Sequence, residues 1–196
     1  MEELIVIYDK EKRDRGRDSY IKAIKKQIPG VRVADVASLP EVRRNKLLVL
    51  KPMNDVDYET LKTFLKCNPG RDIEGIGSGK LTITAEAIIR IIGPVDKKTV
   101  VIINQSDVLG RPLAKELIDL GANVISLNSS YPCIDNLLTM TDIDVLVSAS
   151  GQGDFEMDRE LTRMIDVKID LSNDLEDPIK ITSVPTIEVL KDRLKS

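Results

Sequence analysis

Histidine and tryptophan are absent from this 196-residue chain, and aromatic residues make up only 3% of it. Without histidine, a Ser-His-Asp triad, a histidine-ligated metal site and histidine acid-base catalysis are all excluded. Proton transfer would then rely on Lys, Tyr, Asp, Glu or Cys side chains. The only cysteines, Cys67 and Cys133, fit neither a disulfide framework nor a zinc site. We therefore expect reduced, structural cysteines and no metal site.

Long apolar runs are also missing. The sequence contains no stretch of about 18 apolar residues and no charged-then-apolar leader at Met1. We therefore expect a cytoplasmic protein without a membrane span. Lys and Arg number 29 against 32 Asp and Glu, a net charge of -3 with the two signs interspersed. This balance argues against a nucleic-acid or anionic-membrane surface, although a local basic patch stays open.

The first half of the chain alternates apolar runs with helical patterns. The apolar runs predict strands over residues 4–8, 31–36 and 46–50. Helical spacing predicts helices from a cap at Asp18 or Ser19 to about Gln27, from Asn54 or Asp55 to Asn68, and from Thr84 to Ile92. In the second helix the residues expected to face inward are Val56, Leu61, Phe64 and Leu65.

Two charged or glycine-rich segments have ambiguous patterns. Residues 9–18, DKEKRDRGRD, are most simply a solvated turn. Residues 74–80, EGIGSGK, suggest a phosphate-binding P-loop, which requires G-x-x-x-x-G-K-[ST]. Glu74 stands where the first glycine belongs, and Leu81 replaces the hydroxyl residue after Lys80. The pattern therefore favours a flexible connector over a P-loop.

The second half has a regular alternation from Lys98 onward. Strands are predicted over residues 99–103, 123–127, 144–147, 167–171 and 181–184, and helices over 108–120, 134–140, 157–164 and 186–194. Alternation of this kind, with nearly continuous apolar strands, is typical of a doubly wound parallel sheet.

The stretch from Lys98 to Pro112, KTVVIINQSDVLGRP, is a strand, a turn and a helix start. Such a helix start at the carboxyl end of a parallel strand favours an anionic ligand. The turn has a single glycine, Gly110, so the G-x-G-x-x-G dinucleotide fingerprint is absent. The next strand is followed by Asn128, Ser129 and Ser130, a neutral end that suits ribose or phosphate and equally an ordinary polar loop.

Several motifs together resemble a known family. Residues 100–124, VVIINQSDVLGRPLAKELIDLGANV, are similar to the V-V-I-G-R-S-x-x-V-G-x-P segment of bifunctional methylenetetrahydrofolate dehydrogenase/cyclohydrolase enzymes. Further similar pieces follow in the family's order: KLLVLKP (46–52), NPGRDIEGI (68–76), ASGQGDF (149–155), VKIDLSND (167–174) and ITSVP (181–185). On this basis the chain is identified as a shortened, divergent member of that family.

The resemblance implies a fold and its ligands. It implies an α/β protein with a Rossmann-like doubly wound parallel sheet and a smaller N-terminal α/β domain. The expected domains are a reduced folate-type domain over 1–92, an NAD(P)-binding domain over 93–180, and a C-terminal strand and helix, 181–196, that return to the first domain. Folate would lie in the cleft between domains, NAD or NADP on the second domain, and the protein would usually form a homodimer.

The same resemblance nominates site residues. Tyr20 and Glu74 take the catalytic positions, and both are expected to bind substrate together with Pro185. The expected cofactor-binding residues are Ser106, Asp107, Gly110, Arg111, Asn128, Ser129, Ser130 and Gly151. The residues alone leave simpler alternatives open, since Tyr20 would serve equally as a core aromatic and Glu74 as a solvated loop carboxylate.

The departures from the family pattern fall on its chemistry. The family helix reads S-x-x-Y-V-x-x-K, but here Ile24 occupies the lysine position and Lys25 lies about 100° further round the helix. Leu50 replaces a hydrogen-bonding glutamine, Asn104-Gln105 replace Gly-Arg, and residues 186–190 replace a G-G-V-G-P loop. We expect an NAD(P)-dependent methylenetetrahydrofolate dehydrogenase that has lost cyclohydrolase activity. One alternative is an inactive homologue that binds a dinucleotide or folate or has a regulatory role. The other is a protein of the same fold that binds an unrelated ligand.

Overall fold

The computed structural model describes residues 3–38, 45–140, 142–152, 155, 157–179 and 184–195. Contacts divide the chain into two compact units. Unit 1 comprises Met1–Ile83 and Ser183–Ser196, and unit 2 comprises Thr84–Thr182. The sequence-based boundary lay nine residues later, after residue 92, so the helix that links the two halves is grouped with unit 2 rather than with the first domain.

Unit 1 is built on a three-stranded parallel sheet. Its strands are β1 (Leu4–Tyr8), β2 (Arg32–Asp35) and β3 (Lys46–Val49), in the order β2-β1-β3. Central β1 pairs Ile5 with Arg32 on one side and with Leu47 on the other. Because both faces of β1 are covered, its residues 4–7 are apolar without alternation. The three expected strands are confirmed, the second and third somewhat shorter than predicted.

Seven α-helices accompany the sheets in the described part of the chain, together with short 3-10 helices over Val36–Ser38 and Pro69–Arg71. The α-helices are α1 (Arg15–Gln27), α2 (Asp55–Cys67), α3 (Ile83–Ile92), α4 (Gly110–Asp119), α5 (Ile134–Met140), α6 (Arg159–Thr162) and α7 (Val184–Lys195). None of them is long and apolar enough to cross a membrane.

The start of α1 differs from the prediction. Its N-cap is Asp14, whose carboxylate accepts a hydrogen bond from the Arg17 backbone N–H at 2.6 Å. The expected caps, Asp18 and Ser19, instead lie within the first turns. Sequence reasoning began the helix at the first apolar residues, but a charged first turn is compatible with helix once a side chain satisfies its free N–H groups.

Two other predictions are wrong, one about the buried face of α2 and one about a strand near the carboxyl end. On α2, Val56 is 74% exposed, because it lies in the first turn on the side away from the buried Leu61 and Leu65. At the carboxyl end, Val184 is the first residue of α7 rather than the end of a strand. The rest of that predicted strand, residues 181–183, lies outside the described residues.

Unit 2 contains a four-stranded parallel sheet in the order β5-β4-β6-β7. Its strands are β4 (Thr99–Ile103), β5 (Asn123–Leu127), β6 (Val145–Ser148) and β7 (Val167–Asp170). The chain starts on β4, moves outward to β5 and then returns past β4 to β6. This reversal makes the sheet doubly wound and confirms the expected α/β class. The switch point lies at the carboxyl end of β4, where ligands bind in such sheets.

Candidate functional site

Unit 1 brings four polar side chains together around the loop that follows α2. Tyr20 projects from α1, Glu74 lies on the loop, and Thr186 and Arg193 come from α7. Besides the effect of burial, Glu74 raises the pKa of the Tyr20 hydroxyl, whereas Thr186 and Arg193 lower it. The structure therefore brings together Tyr20 and Glu74, the two residues that occupy the catalytic positions of the family pattern.

The loop is organised by Asp72. Its buried carboxylate accepts hydrogen bonds from the backbone N–H groups of Gly75, Gly77 and Ser78 at 2.7–2.8 Å. A side chain at Gly77 would place its Cβ 2.6 Å from the carbonyl oxygen of Lys62. The N–H groups that a P-loop would offer to phosphate are therefore used by Asp72, and the glycine at 77 allows close packing on α2.

Glu74 is a buried carboxyl group with an altered acidity. Removal from water raises its pKa to about 8, and the nearby Asp72 carboxylate adds to the rise. Arg193 and a hydrogen bond from the Ile83 backbone N–H act in the opposite direction without cancelling it. Glu74 is thus mostly protonated at neutral pH. A neutral carboxyl group both donates and accepts hydrogen bonds.

Arg193 fixes the loop from the side of α7. Its guanidinium donates to the carbonyl oxygens of Ile73 at 2.7 Å and Glu74 at 3.3 Å, and also to that of Leu81. Because one rigid fork binds three carbonyl groups, the loop backbone around Glu74 is held in place. Sequence reasoning missed Arg193. The signal was its spacing of seven residues from Thr186, which places both on one face of α7.

The Tyr20 hydroxyl is buried although the residue as a whole is half-exposed. No group in the described part of the chain makes a hydrogen bond of regular geometry to it, while the adjacent Thr186 side chain acts on its acidity. Burial raises the pKa of Tyr20 well above its ordinary value, so the hydroxyl stays protonated. Pro185, the third expected substrate contact, lies in the first turn of α7 next to Thr186. Ile24, at the family's lysine position, is fully buried in the core.

In unit 2 the turn after β4 is organised by Asn104. Its side-chain oxygen accepts hydrogen bonds from the Ser106 N–H and hydroxyl and from the Gly110 N–H, and its amide donates to the carbonyl oxygen of Ala149. A Cβ at Gly110 would lie 1.8 Å from the Asn104 carbonyl oxygen. Gly110 is therefore required for the approach of α4 to the strand, and Ser106 is turned inward to Asn104.

Gln105, Asp107 and Arg111, by contrast, are exposed. Arg111 forms an ion pair with Asp107, its Nη1 lying 2.6 Å from the carboxylate oxygen. Gln105 reaches sideways and donates to the carbonyl oxygen of Ser126 on β5. The cationic group that could meet a ligand phosphate is thus present at Arg111, but it carries an acidic partner.

The neutral end after β5 forms a compact turn. The Asn128 side chain accepts hydrogen bonds from the Ser130 N–H and hydroxyl, and Ser129 lies half-buried between them. A small pocket of about 170 Å³ adjoins this turn. Its lining is Tyr131, Pro132, Ile134, Asp135, Phe155 and Met157.

The ends of β6 and β7 are joined through a buried carboxylate. Asp174 accepts hydrogen bonds from the hydroxyls of Ser148 and Ser150, at 2.5 and 2.8 Å. Gly151 has a positive φ of 68° and donates its N–H to the Ser172 hydroxyl. Sequence reasoning did not single out Asp174. The following residues of the ASGQGDF motif, 153 and 154, lie outside the described residues.

The comparisons with known proteins agree with the motifs. No protein-family model matches the chain. The bifunctional protein FolD of Dictyoglomus thermophilum is 26% identical over 176 residues, which is 80% of this chain and 60% of that protein. FolD of Thermosipho africanus is 29% identical over 170 residues, 72% of this chain and 61% of that protein. The chain is thus similar in sequence to the FolD proteins but divergent from them. It spans about 60% of the length of the curated relatives that it matches.

Solved structures related to FolD share the fold. The methylenetetrahydrofolate dehydrogenase-cyclohydrolase of Trypanosoma brucei, complexed with NADP and an inhibitor, matches with a TM-score of 0.71 at 19% identity, over 98% of this chain and 84% of that chain. The NAD-dependent methylenetetrahydrofolate dehydrogenase of Saccharomyces cerevisiae matches with a TM-score of 0.73 at 16% identity, over 99% and 86%. These likenesses confirm the two-sheet α/β architecture predicted from the FolD resemblance.

Proposed function

We propose that this protein is an NAD(P)-dependent methylenetetrahydrofolate dehydrogenase of one-carbon metabolism without cyclohydrolase activity. The observation that carries the proposal is that Tyr20 and the buried carboxyl group of Glu74 lie together in unit 1. These residues stand at the family's catalytic positions, and the FolD relatives supply the substrate class.

Glu74 would bind the pterin ring of the folate. The edge of a pterin alternates hydrogen-bond donors and acceptors, and a neutral carboxyl group matches such an edge because it is both. Tyr20 would lie against the ring and offer its protonated hydroxyl. Arg193 would act as a positioning residue, since it holds the backbone carbonyls on either side of the loop.

The donor set of unit 2 fits a dinucleotide unevenly. Asn128 and Ser130 are exposed polar groups suited to a ribose, and the adjoining pocket is lined by rings suited to a base. The pyrophosphate end fits less well, because Asn104 already uses the Gly110 N–H and Asp107 pairs with Arg111. We therefore expect Asn128, Ser130 and Arg111 to hold NAD or NADP with modest affinity, and Gly151 to border the site. When bound, the nicotinamide supplies the hydride acceptor.

Loss of cyclohydrolase activity follows from Ile24. Hydrolysis of the methenyl product needs a proton donor and acceptor that hydride transfer does not. The side chain at that position is fully buried and apolar. Tyr20 stays protonated because its pKa is raised, so it offers no base in place of the lysine.

The test is a spectrophotometric assay of the purified chain with methylenetetrahydrofolate and either NAD or NADP. We expect formation of the reduced cofactor, and no hydrolysis of methenyltetrahydrofolate. Glu74→Leu, which removes both the donor and the acceptor, should lower kcat/KM at least about tenfold, by loss of roughly 1.4 kcal/mol of transition-state binding. Glu188→Gln, an exposed carboxylate change on α7, is the matched control and should retain full activity. Absence of cofactor reduction at micromolar protein would refute the dehydrogenase.

The second candidate is an inactive binding homologue, favoured by the loss of the Gly-Arg pair at Asn104 and Gln105. Thermal unfolding with NAD, NADP and folates separates the two, because a ligand bound to the native state alone must raise the melting temperature. A rise without turnover would support the binding protein. A homodimer and a cytoplasmic location stay predictions from the resemblance, and light scattering of the purified protein would check the dimer.

A further inference from the structure

A groove of about 810 Å³ runs along α1 at the carboxyl end of β1, within unit 1. Its cationic lining residues are Lys10, Arg13, Arg15, Arg17, Lys22 and Lys25. Only two acidic residues, Asp14 and Asp18, line it as well. This excess of positive charge is local, since the whole chain carries a net charge of -3.

Both acidic residues of the groove are already engaged by one arginine. Asp14 caps α1 by accepting the Arg17 backbone N–H, and Asp18 accepts hydrogen bonds from the Arg17 guanidinium at 3.1 and 3.3 Å. The same guanidinium donates to the carbonyl oxygens of Asp9 and Pro52. Arg17, only 7% exposed, therefore pairs with Asp18 and fixes the base of the groove, while the Asp14 carboxylate is used by the helix cap.

Four of the remaining cations have no ion-pair partner among the residues that the structure describes. Lys10 pairs with Asp35, its Nζ lying 3.0 Å from the carboxylate oxygen. In the described part of the chain, no hydrogen bond or ion pair involves the side chains of Arg13, Arg15, Lys22 or Lys25. An anionic ligand would supply the charge that these side chains lack.

The cations of α1 share one stripe that is separate from the folate-type cluster. Arg15, Lys22 and Lys25 are spaced at i, i+7 and i+10, which places them within one side of the helix. Lys22 lies about 200° round the helix from Tyr20. The lysines of the groove and the proposed folate contacts therefore lie on different sides of α1.

The groove also has an apolar wall. Tyr8, Ile21 and Val33 line it, and the Arg17 guanidinium lies 5.2 Å from the centre of the Tyr8 ring. An apolar wall beside unpaired cations suits a molecule with an organic part and clustered negative charge. A volume of this size accommodates a nucleotide-sized ligand.

We propose that this groove binds a small organic diphosphate of the nucleoside diphosphate class, with Arg13, Arg15, Lys22 and Lys25 around its phosphates. This assignment is independent of the proposed dehydrogenase function. The organic part would lie against Tyr8 and Val33. Arginine and lysine are both suited to phosphate, arginine through its planar fork and lysine as a point charge.

The test is calorimetric titration of the full chain with ADP, with inorganic pyrophosphate and with adenosine. We expect ADP to bind more tightly than pyrophosphate, adenosine to bind negligibly, and the ADP affinity to fall as salt is added. Lys22→Gln with Lys25→Gln should weaken ADP at least about tenfold, a difference of roughly 1.4 kcal/mol. Both side chains are exposed, so the double variant should fold normally.

Lys66→Gln with Lys115→Gln is the matched control, because it removes the same charge from exposed positions elsewhere. It should change the ADP affinity less than about twofold. Lys22→Arg with Lys25→Arg, which keeps both positive charges, should retain ADP binding. An ADP affinity that is the same in the groove variant as in the wild type overturns the proposal, as does equal loss in the control. Tighter binding of a short RNA than of ADP would replace the small molecule with a nucleic-acid partner.

Discussion

At the scale of single residues, Glu74 makes stability depend on pH. Its pKa in the folded protein is about 8, against an ordinary value of 4.5. Between these values the folded chain holds a proton that the unfolded chain has released, so this group's stabilising contribution is complete below about pH 4.5 and is lost as pH rises through 8.

We therefore expect the free energy of unfolding to fall with pH across this window, by on the order of 1 kcal/mol per pH unit from this group. Glu74→Gln cannot ionise at this position and should lack the decline. The stability of the variant relative to the wild type should therefore increase as pH rises. Urea unfolding of both proteins from pH 5 to pH 8 measures the difference. Parallel profiles would show that Glu74 ionises normally.

Ile24 bears on any attempt to restore cyclohydrolase activity. Ile24→Lys supplies the missing family residue by sequence, yet it would place an ammonium group in the core without a partner. We expect the free energy of unfolding to drop by more than about 3 kcal/mol and the hydrolysis to stay absent. Ile24→Leu, which conserves volume, should cost less than about 1.5 kcal/mol. A stable lysine variant would mean that the position opens to solvent.

Gly110 is the position where a single methyl group should matter most. Gly110→Ala places a Cβ against the carbonyl oxygen of Asn104, so either α4 or the end of β4 must shift. We expect a loss of more than about 4 kcal/mol or failure to fold. Gly70→Ala is the control, because no atom lies within 4 Å of its added Cβ. Thermal unfolding of the two variants should differ clearly.

At the scale of elements, the start of α1 gives a direct test of the capping assignment. Asp14→Ala removes the acceptor for the Arg17 N–H and should destabilise the protein by about 0.5–2 kcal/mol. Ser19→Ala, at one of the caps expected from sequence, should be nearly neutral. If the serine variant were the costlier one in chemical unfolding, the helix would begin where the sequence pattern placed it.

The elements also show what sequence patterns can and cannot predict. Strands such as β1 and β4 were predicted to the residue because continuous apolar runs in a parallel sheet have few alternative interpretations. Tyr20 and Glu74 were selected as candidate site residues by motif order. Arg193 and Asp174 were not, because their partners are backbone carbonyls or hydroxyls distant in sequence. Helical spacing places Arg193 on the same face as Thr186, but which groups such side chains contact depends on how the elements pack.

At the scale of the whole molecule, the chain leaves unit 1 after Ile83 and returns to it with α7. The helix contributes Ile187, Val189 and Leu190 to the core as well as the Arg193 contacts. Leu190→Ala should lower the free energy of unfolding by about 2–5 kcal/mol and speed amide exchange in β1, β2 and β3. Glu188→Ala, exposed on the same helix, should leave both nearly unchanged. Unaltered exchange in those strands would contradict the role of α7.

Because the chain leaves unit 1 and returns to it with α7, the two units fold in a particular order during synthesis on the ribosome. The four strands of unit 2 are contiguous in sequence, so they can pair as soon as residue 170 or so has left the exit tunnel. The first sheet, although made earlier, must wait for α7 to cover it. Nascent unit 1 is therefore exposed during synthesis for longer than its early position in the chain suggests, and this part of the polypeptide is where we expect ribosome-associated chaperones to bind.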